Sequence, residues 1–267
     1  MRWRPRALKV AILGCGPTGL FAAHAFTALG YGDVTVFSRK RRSEMFGAQY
    51  LHQPIPGLTE GEGQSISYRL RGTPEQYARK VYEGGMDPSR TSPVILHRNH
   101  QAWDIRSTYY RAWDLYSDRI VSMKIEPSGM TDFIRQFDFV VSTVPAPAIC
   151  NQTCGDVHQF RTQKVWAVGD APERGVFCPI TVPPWTVECN GEETPRWYRA
   201  SNVFGYKTAE WPGDKAPPIE DIAAVEKPIG TNCDCWLGKN FMRAGRYGTW
   251  SKGVLSHQVY YDIVGGF

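Results

Sequence analysis

Three glycines near the N-terminus, Gly14, Gly16 and Gly19, stand in Gly-x-Gly-x-x-Gly spacing within Gly14-Cys15-Gly16-Pro17-Thr18-Gly19. That spacing suits the holding of a pyrophosphate by backbone amides. The first glycine permits a tight turn, the second lets the backbone approach the anion with no Cβ in the way, and the third lets the following helix pack against its strand. The amides and dipole of the helix start, where Pro17 and Thr18 fall, then favour negative charge. Where a ribose-binding unit ordinarily carries an acid, this chain has Ser38 and Arg39, with Lys40, Arg41 and Arg42 behind them. A serine–arginine pair suits a 2′-phosphate, so the local signal favours NADP, and FAD must be argued from elsewhere in the chain.

Other residue types could carry chemistry. His52 and His257 are candidate acid–base groups, although a lone histidine also serves structural roles. Tyr198 and Arg199 suit an anionic substrate, because arginine bonds carboxylate or phosphate through two nitrogens at once. The seven cysteines include Cys150/Cys154 and Cys233/Cys235, in CxxxC and CxC spacing. Zinc ribbons prefer CxxC pairs, so these are read as reduced structural thiols and no metal site is expected. No Ser-His-Asp pattern competes.

The elements that must position these residues follow from local pattern. The apolar run 8–13 reads as a buried parallel strand, and the glycine turn follows it at once. A helix follows with Leu20, Ala23, Phe26 and Leu29 at helical spacing, and 33–37 is a second strand, which completes a βαβ unit. Residues 43–65 read as loop, 66–70 as a strand, and 73–82 as a helix with Thr73 as N-cap and Pro74 first. A second helix spans 102–116, a strong strand runs 137–145 into a Pro-rich turn, and 164–168 is a short strand leading to Gly169-Asp170. From 177 to 211, β-favouring residues alternate with polar ones around Asn190-Gly191, as in an antiparallel sheet. A strand and glycine-bearing turn at 240–250 precede a helix at 254–263. The fold class expected is α/β: a Rossmann-like domain with a parallel sheet plus a small antiparallel-sheet substrate domain. The nucleotide-binding part would be discontinuous, over 1–65, 100–170 and 238–267, with 66–99 and 171–237 forming the cap.

Net charge of +5 and a pI near 8.8 favour anionic ligands without the concentrated basic stripe of a dedicated nucleic-acid binder. No run of about eighteen apolar residues is present, so no membrane span is expected, and no apolar signal core precedes the first strand, so a cytoplasmic setting is expected. Oligomeric state is not set by any of these features.

Three later segments add to the glycine turn: Val140-Val141-Ser142-Thr143-Val144-Pro145, Arg196-Trp197-Tyr198-Arg199, and Gly245-Arg246-Tyr247-Gly248-Thr249-Trp250. In this order they resemble the FAD-binding superfamily of amine oxidases, protoporphyrinogen oxidases and UDP-galactopyranose mutases. The resemblance implies FAD as cofactor, with its ADP half on the glycine turn and Val144 and Pro145 close by. It also implies that Gly245, Arg246, Tyr247 and Trp250 return over the flavin end, with Ser38 and Arg39 contacting the adenosine ribose. Gln49 closes Met45-Phe46-Gly47-Ala48-Gln49, which stands where the family has Arg-x-x-Gly-Gly. Gly169-Asp170 resembles the Gly-Asp motif of other flavoproteins, although chain order gives that role to the Gly245 segment. The activity implied is oxidation of a polar substrate, an amine among the candidates, with His52 beside the ring and Tyr198 and Arg199 on the substrate. Alternatives are a non-redox flavin mutase or lyase, including one acting on a modified nucleotide or DNA base, an NADP-dependent reductase, and a dinucleotide-binding scaffold without chemistry. Compact flavoproteins of this type also resemble phage enzymes that remodel modified DNA bases. Partners are therefore a small-molecule or nucleotide substrate, with a DNA-linked one among the options.

Overall fold

The opening apolar run becomes β1 (Lys9–Leu13), buried from Val10 onward. Its side chains alternate between two cores, as strand geometry requires. Val10 and Ile12 face a cluster containing Leu20, Phe21 and Phe26, while Ala11 and Leu13 face one containing Met130, Ile149 and Phe241. This is a computed structural model, and it describes residues 8–39, 41–47, 49–81, 99–151, 159–169, 178–213, 215–220, 222–238 and 240–266. Around β1 a five-stranded, wholly parallel sheet forms from β2 (Asp33–Ser38), β5 (Ile120–Ser122), β6 (Phe139–Ser142) and β12 (Phe241–Arg243), in the order β12-β6-β1-β2-β5.

Helix α1 (Pro17–Ala28) is buried around most of its circumference. One side meets the sheet and the other meets α3 (Ile105–Tyr116) and the C-terminal α7 (Gln258–Gly266). Leu20, Phe21 and Phe26 are almost wholly buried, each contributing on the order of 1.5–3 kcal/mol by leaving water. Helix α3 begins at Ile105 because the Asp104 carboxylate accepts from Arg106 N at 2.8 Å, whereas the sequence pattern had started it at 102. Helix α7 likewise starts later than the 254 read from pattern. Helix α2 (Pro74–Val81) has a reciprocal capping box between Thr73 and Gln76, at 2.8 and 3.2 Å. Two short helices, α4 (Met130–Arg135) and α5 (Ala146–Ile149), flank β6.

A second sheet of seven strands comprises β3 (Gln64–Arg71), β4 (Asn99–Ala102), β7 (Phe160–Gly169), β8 (Thr186–Asn190), β9 (Arg199–Val203), β10 (Tyr206–Pro212) and β11 (Ala223–Thr231). Its order is β11-β7-β10-β9-β8-β3-β4, antiparallel except for the parallel pair β3/β8. The expected fold class stands. Two segments expected in the nucleotide-binding part fall elsewhere: residues 160–169 and 100–102 belong to the second sheet. The cause is the pairing of β7 with β10 and β11 and of β4 with β3, partners that no local pattern names. Strand β11 had no counterpart in the sequence reading. No helix among the described residues is long and apolar enough to cross a membrane.

Candidate functional site

The site begins at the carboxyl end of the parallel sheet, where open α/β sheets place their ligands. Gly14 has φ +102°, a conformation that side chains disfavour, and a Cβ there would lie 2.6 Å from Thr143 Oγ1. A Cβ on Gly19 would lie 1.9 Å from the carbonyl oxygen of Gly14, so the helix start is pressed against the turn. Gly16 is the helix N-cap, Pro17 opens the helix, and no acidic residue stands in its first turn. Bare backbone and a positive dipole end together fit the pyrophosphate of a dinucleotide.

Gly245 joins the same place. A Cβ on it would lie 2.5 Å from Thr18 Oγ1, and one on Gly248 would lie 2.5 Å from Ser142 O. The segment then reaches across to the second sheet, where Tyr247 OH donates to Glu226 O at 3.2 Å and Trp250 Nε1 donates to Arg161 O at 3.1 Å. The structure thus brings Gly14, Gly16, Pro17, Thr18, Gly19, Val144, Gly245, Arg246, Tyr247 and Trp250 to one junction between the sheets. Val144 packs beside Gly14, and Pro145 is exposed at the start of α5. Ser38 ends β2, and its Oγ accepts from Cys15 Sγ at 3.1 Å. Arg39 is exposed beyond it. Gln49 Nε2 donates within its own loop to Phe46 O at 2.7 Å. Gly169 pairs with Thr208 inside the second sheet, and Asp170 lies outside the described residues.

Across the junction lies a cluster of charges. Arg199 holds Glu210 through three bonds of 2.7–3.1 Å, and Lys227 Nζ donates to Glu210 Oε1 at 2.7 Å and to Tyr198 OH at 3.1 Å. Glu210 is almost fully buried. Burial alone would raise its pKa, but the adjacent Arg199 and Lys227 charges hold it well below the carboxylate range. Lys227 is lowered, first by burial and despite Glu210. Arg246 and Lys252, both half-buried, complete the group. Lys252 Nζ donates to Gln163 Oε1 at 3.3 Å. Its pKa is pushed down to about 6 by burial first and then by Lys227, Arg199 and Arg246. Among the described residues, Glu210 bonds Arg199 and Lys227, and its charge also acts on Arg246 and Lys252.

The loop after β2 closes this cluster. Gly47 has φ +78°, and a Cβ on it would lie 1.9 Å from Glu210 Oε1. Only glycine lets that backbone reach the carboxylate, and Gly47 supplies it.

A row of rings adjoins the cluster. Tyr50 and Tyr68 share a hydroxyl–hydroxyl hydrogen bond, and the Arg199 charge acts on both. Tyr50 packs on His52 (4.9 Å), Tyr68 on His100 (5.3 Å), and His52 stacks on His257 (5.8 Å). His52 keeps an edge in solvent, and its pKa is lowered by partial burial and by His100. His257 is buried, and burial and then His52 push its pKa to about 4. His100 Nε2 is buried with no hydrogen-bond partner among the described residues. Tyr198, Arg199, Arg246, His52 and His257, singled out from sequence, lie in this region, whereas Glu210, Lys227, Lys252 and His100 were not singled out.

No family model matches the chain, and no curated protein matches it. Solved structures do. A structure of reduced UDP-galactopyranose mutase superposes with TM-score 0.53 at 13% identity, covering 96% of this chain and 94% of that one. The p-nitrophenol 4-monooxygenase PnpA of Pseudomonas putida DLL-E4 gives 0.53 at 11%, covering 89% and 72%. Aklavinone-11 hydroxylase, in a ternary complex with FAD and aklavinone, gives 0.52 at 11%, covering 98% of this chain and 61% of that one. The chain shares the Rossmann-like fold of these structures. At these identities the likeness shows the fold alone.

Proposed function

We propose that the protein is an FAD-dependent oxidoreductase acting on a polar, anionic small molecule. The observation that carries this is the meeting of two features across one junction: a pyrophosphate cradle of bare backbone at Gly14–Gly19, and the Arg199–Glu210–Lys227 cluster on the facing sheet, which Arg246 and Lys252 approach from the bridging segment. The Gly245–Trp250 segment touches both.

In this reading the glycine turn, Thr18 and Gly245 hold the dinucleotide, and Ser38 and Arg39 meet its adenosine ribose. FAD, when bound, supplies the two-electron chemistry, while the protein orients the substrate and sets the charge around it. Arg246 and Lys252 attract the anionic end of the substrate. Arg199 and Lys227, pinned by Glu210, fix the field they sit in. His52, on the exposed side of the ring row, is the candidate proton acceptor, whereas the buried His257, pushed down to about 4, is a weak base that packs against it. Whether the reacting group is an amine is a finer question that these residues leave to substrate screening.

A second reading has support of its own. The mutase structure and this chain cover each other almost completely, whereas aklavinone-11 hydroxylase extends well beyond it. That favours a non-redox flavin enzyme, in which the cofactor is not consumed in a net oxidation.

The test is to purify the full chain, add FAD, and measure the flavin retained and released on denaturation. One FAD per chain is expected. A colourless protein that binds NADPH overturns both readings. Anaerobic mixing with anionic substrates then separates them: bleaching of bound flavin by substrate alone supports the oxidoreductase, and turnover only after pre-reduction supports the mutase or lyase.

A further inference from the structure

Away from the junction, three thiols meet. Cys150 follows α5, and Cys233 and Cys235 lie between β11 and β12. All three are buried thiols whose Sγ atoms lie within 4.8 Å of one another. Cys150 Sγ and Cys235 Sγ are 3.8 Å apart. Zinc–sulfur bonds of about 2.3 Å at tetrahedral angles put neighbouring sulfurs about 3.8 Å apart. A disulfide would need about 2.05 Å. We propose that Cys150, Cys233 and Cys235 bind one thiophilic divalent cation, zinc by ligand chemistry, as a structural site.

A second observation bears on the charge. The buried Arg243 guanidinium donates to Cys233 Sγ at 3.1 Å and to the carbonyls of Cys233 and Cys235 at 2.8 Å each. Three thiolates on a divalent ion carry one net negative charge, and Arg243 cancels it. Thiols packed only as small apolar groups would give a buried guanidinium no such countercharge. A bonded neighbour that sets charge and orientation is what metal ligands ordinarily have. Phe160 and Trp236 cover the cluster, and Trp236 Nε1 donates to Ile149 O at 2.6 Å, which fixes the chain beside Cys150. Binding replaces each thiol proton by a metal–sulfur bond and releases the proton to solvent. The fourth position goes to a donor other than these three. Cys154 lies outside the described residues. The ion would tie the end of α5 to the strand that delivers Gly245, so it would brace the segment bridging the two sheets.

The experiment is metal analysis of the full chain purified from zinc-supplemented cells. One zinc per chain is expected, lost in Cys233→Ser and Cys235→Ser and kept in Cys178→Ser. Since a serine variant can fail to fold, the wild-type protein supplies a second measurement. After chelation and exchange it should take up one cobalt ion and show the intense visible bands of thiolate-bound tetrahedral cobalt. Folded wild-type chain that binds neither ion at one equivalent overturns the proposal. So does a Cys150–Cys235 disulfide found in that folded chain by mass spectrometry. Neither outcome depends on flavin content.

Discussion

Replacing Glu210 with Gln keeps the side chain's shape and removes the negative charge that Arg199 and Lys227 share. In the native protein that carboxylate accepts from Arg199 at 2.7–3.1 Å and from Lys227 at 2.7 Å, with only a trace of its surface exposed. After the change, Arg199 and Lys227 are left facing each other, with Arg246 and Lys252 beyond. Breaking a buried pair by removing one partner costs about 3–5 kcal/mol, because the remaining charge is desolvated and uncompensated. With a urea slope of about 1–3 kcal/mol per molar, the unfolding midpoint should fall by at least about 1 M. Tryptophan fluorescence during urea titration reads this directly, and Glu226→Gln, an exposed carboxylate on β11, serves as the control. The pH dependence has a definite sign. Glu210's pKa is depressed in the fold, so its contribution is complete above its ordinary value of 4.5 and is lost as pH falls toward the folded value. The gap between wild type and variant should therefore be constant near neutrality and narrow in acid below about pH 4.5. A change smaller than about 0.5 kcal/mol, the range of ordinary surface substitutions, would refute the reasoning.

Three further outcomes are expected. Gly19→Ala places a methyl group 1.9 Å from Gly14 O, so the turn must open: retained FAD should fall at least about tenfold with the circular dichroism spectrum unchanged, and full retention would count against the cradle. Arg246→Gln should raise KM for an anionic substrate by about 30-fold, corresponding to about 2 kcal/mol for a half-buried charge contact, with kcat nearly unchanged; steady-state kinetics decide, and an unaltered KM removes Arg246 from the substrate's path. A bound anion raises the pKa of Lys252, about 6, and of Lys227, about 8. Anion affinity measured by calorimetry should thus be level below about pH 6 and weaken as pH rises through 8, and a flat profile up to about pH 9 would sink the assignment.

Half of the junction was legible in the chain because its signals are local. Gly14, Gly16 and Gly19 act over a single turn, between an apolar strand and a helix whose pattern lies beside them. The packing needs each glycine meets were implicit in spacing alone, and the structure turns them into contacts with Thr143 and Gly14 O. The boundaries were less accessible. Residues 164–168 read as a short strand, which β7 contains, yet its neighbours are antiparallel strands far along the chain. The CxxxC and CxC pairs fared similarly. Each alone argued for structural thiols, and only tertiary folding sets Cys150 beside Cys235.

The charge cluster divides along the same line, and part of it was within reach. Strands β9 and β10 form a hairpin whose two turn residues, Phe204 and Gly205, both have positive φ, +55° and +79°, the geometry that matches the twist of paired strands. Once that turn is fixed, counting outward pairs Val203 with Tyr206, then each step in register, until Arg199 stands directly opposite Glu210. An arginine and a glutamate on one face of a hairpin, with Ala200 and Ala209 alternating beside them, is a readable cross-strand pair. The Phe204-Gly205 dipeptide was the signal that the sequence reading passed over. Lys227 is different in kind. It sits on β11, which meets β10 only through β7, so its approach to Glu210 depends on two pairings that no local rule supplies. Arg246 and Lys252 come from the bridging segment, on the far side of the junction. A cation cluster drawn from separate elements leaves no spacing in the chain. A further trace in sequence is Gly47, whose positive φ disfavours a side chain and where a Cβ would lie 1.9 Å from Glu210 Oε1.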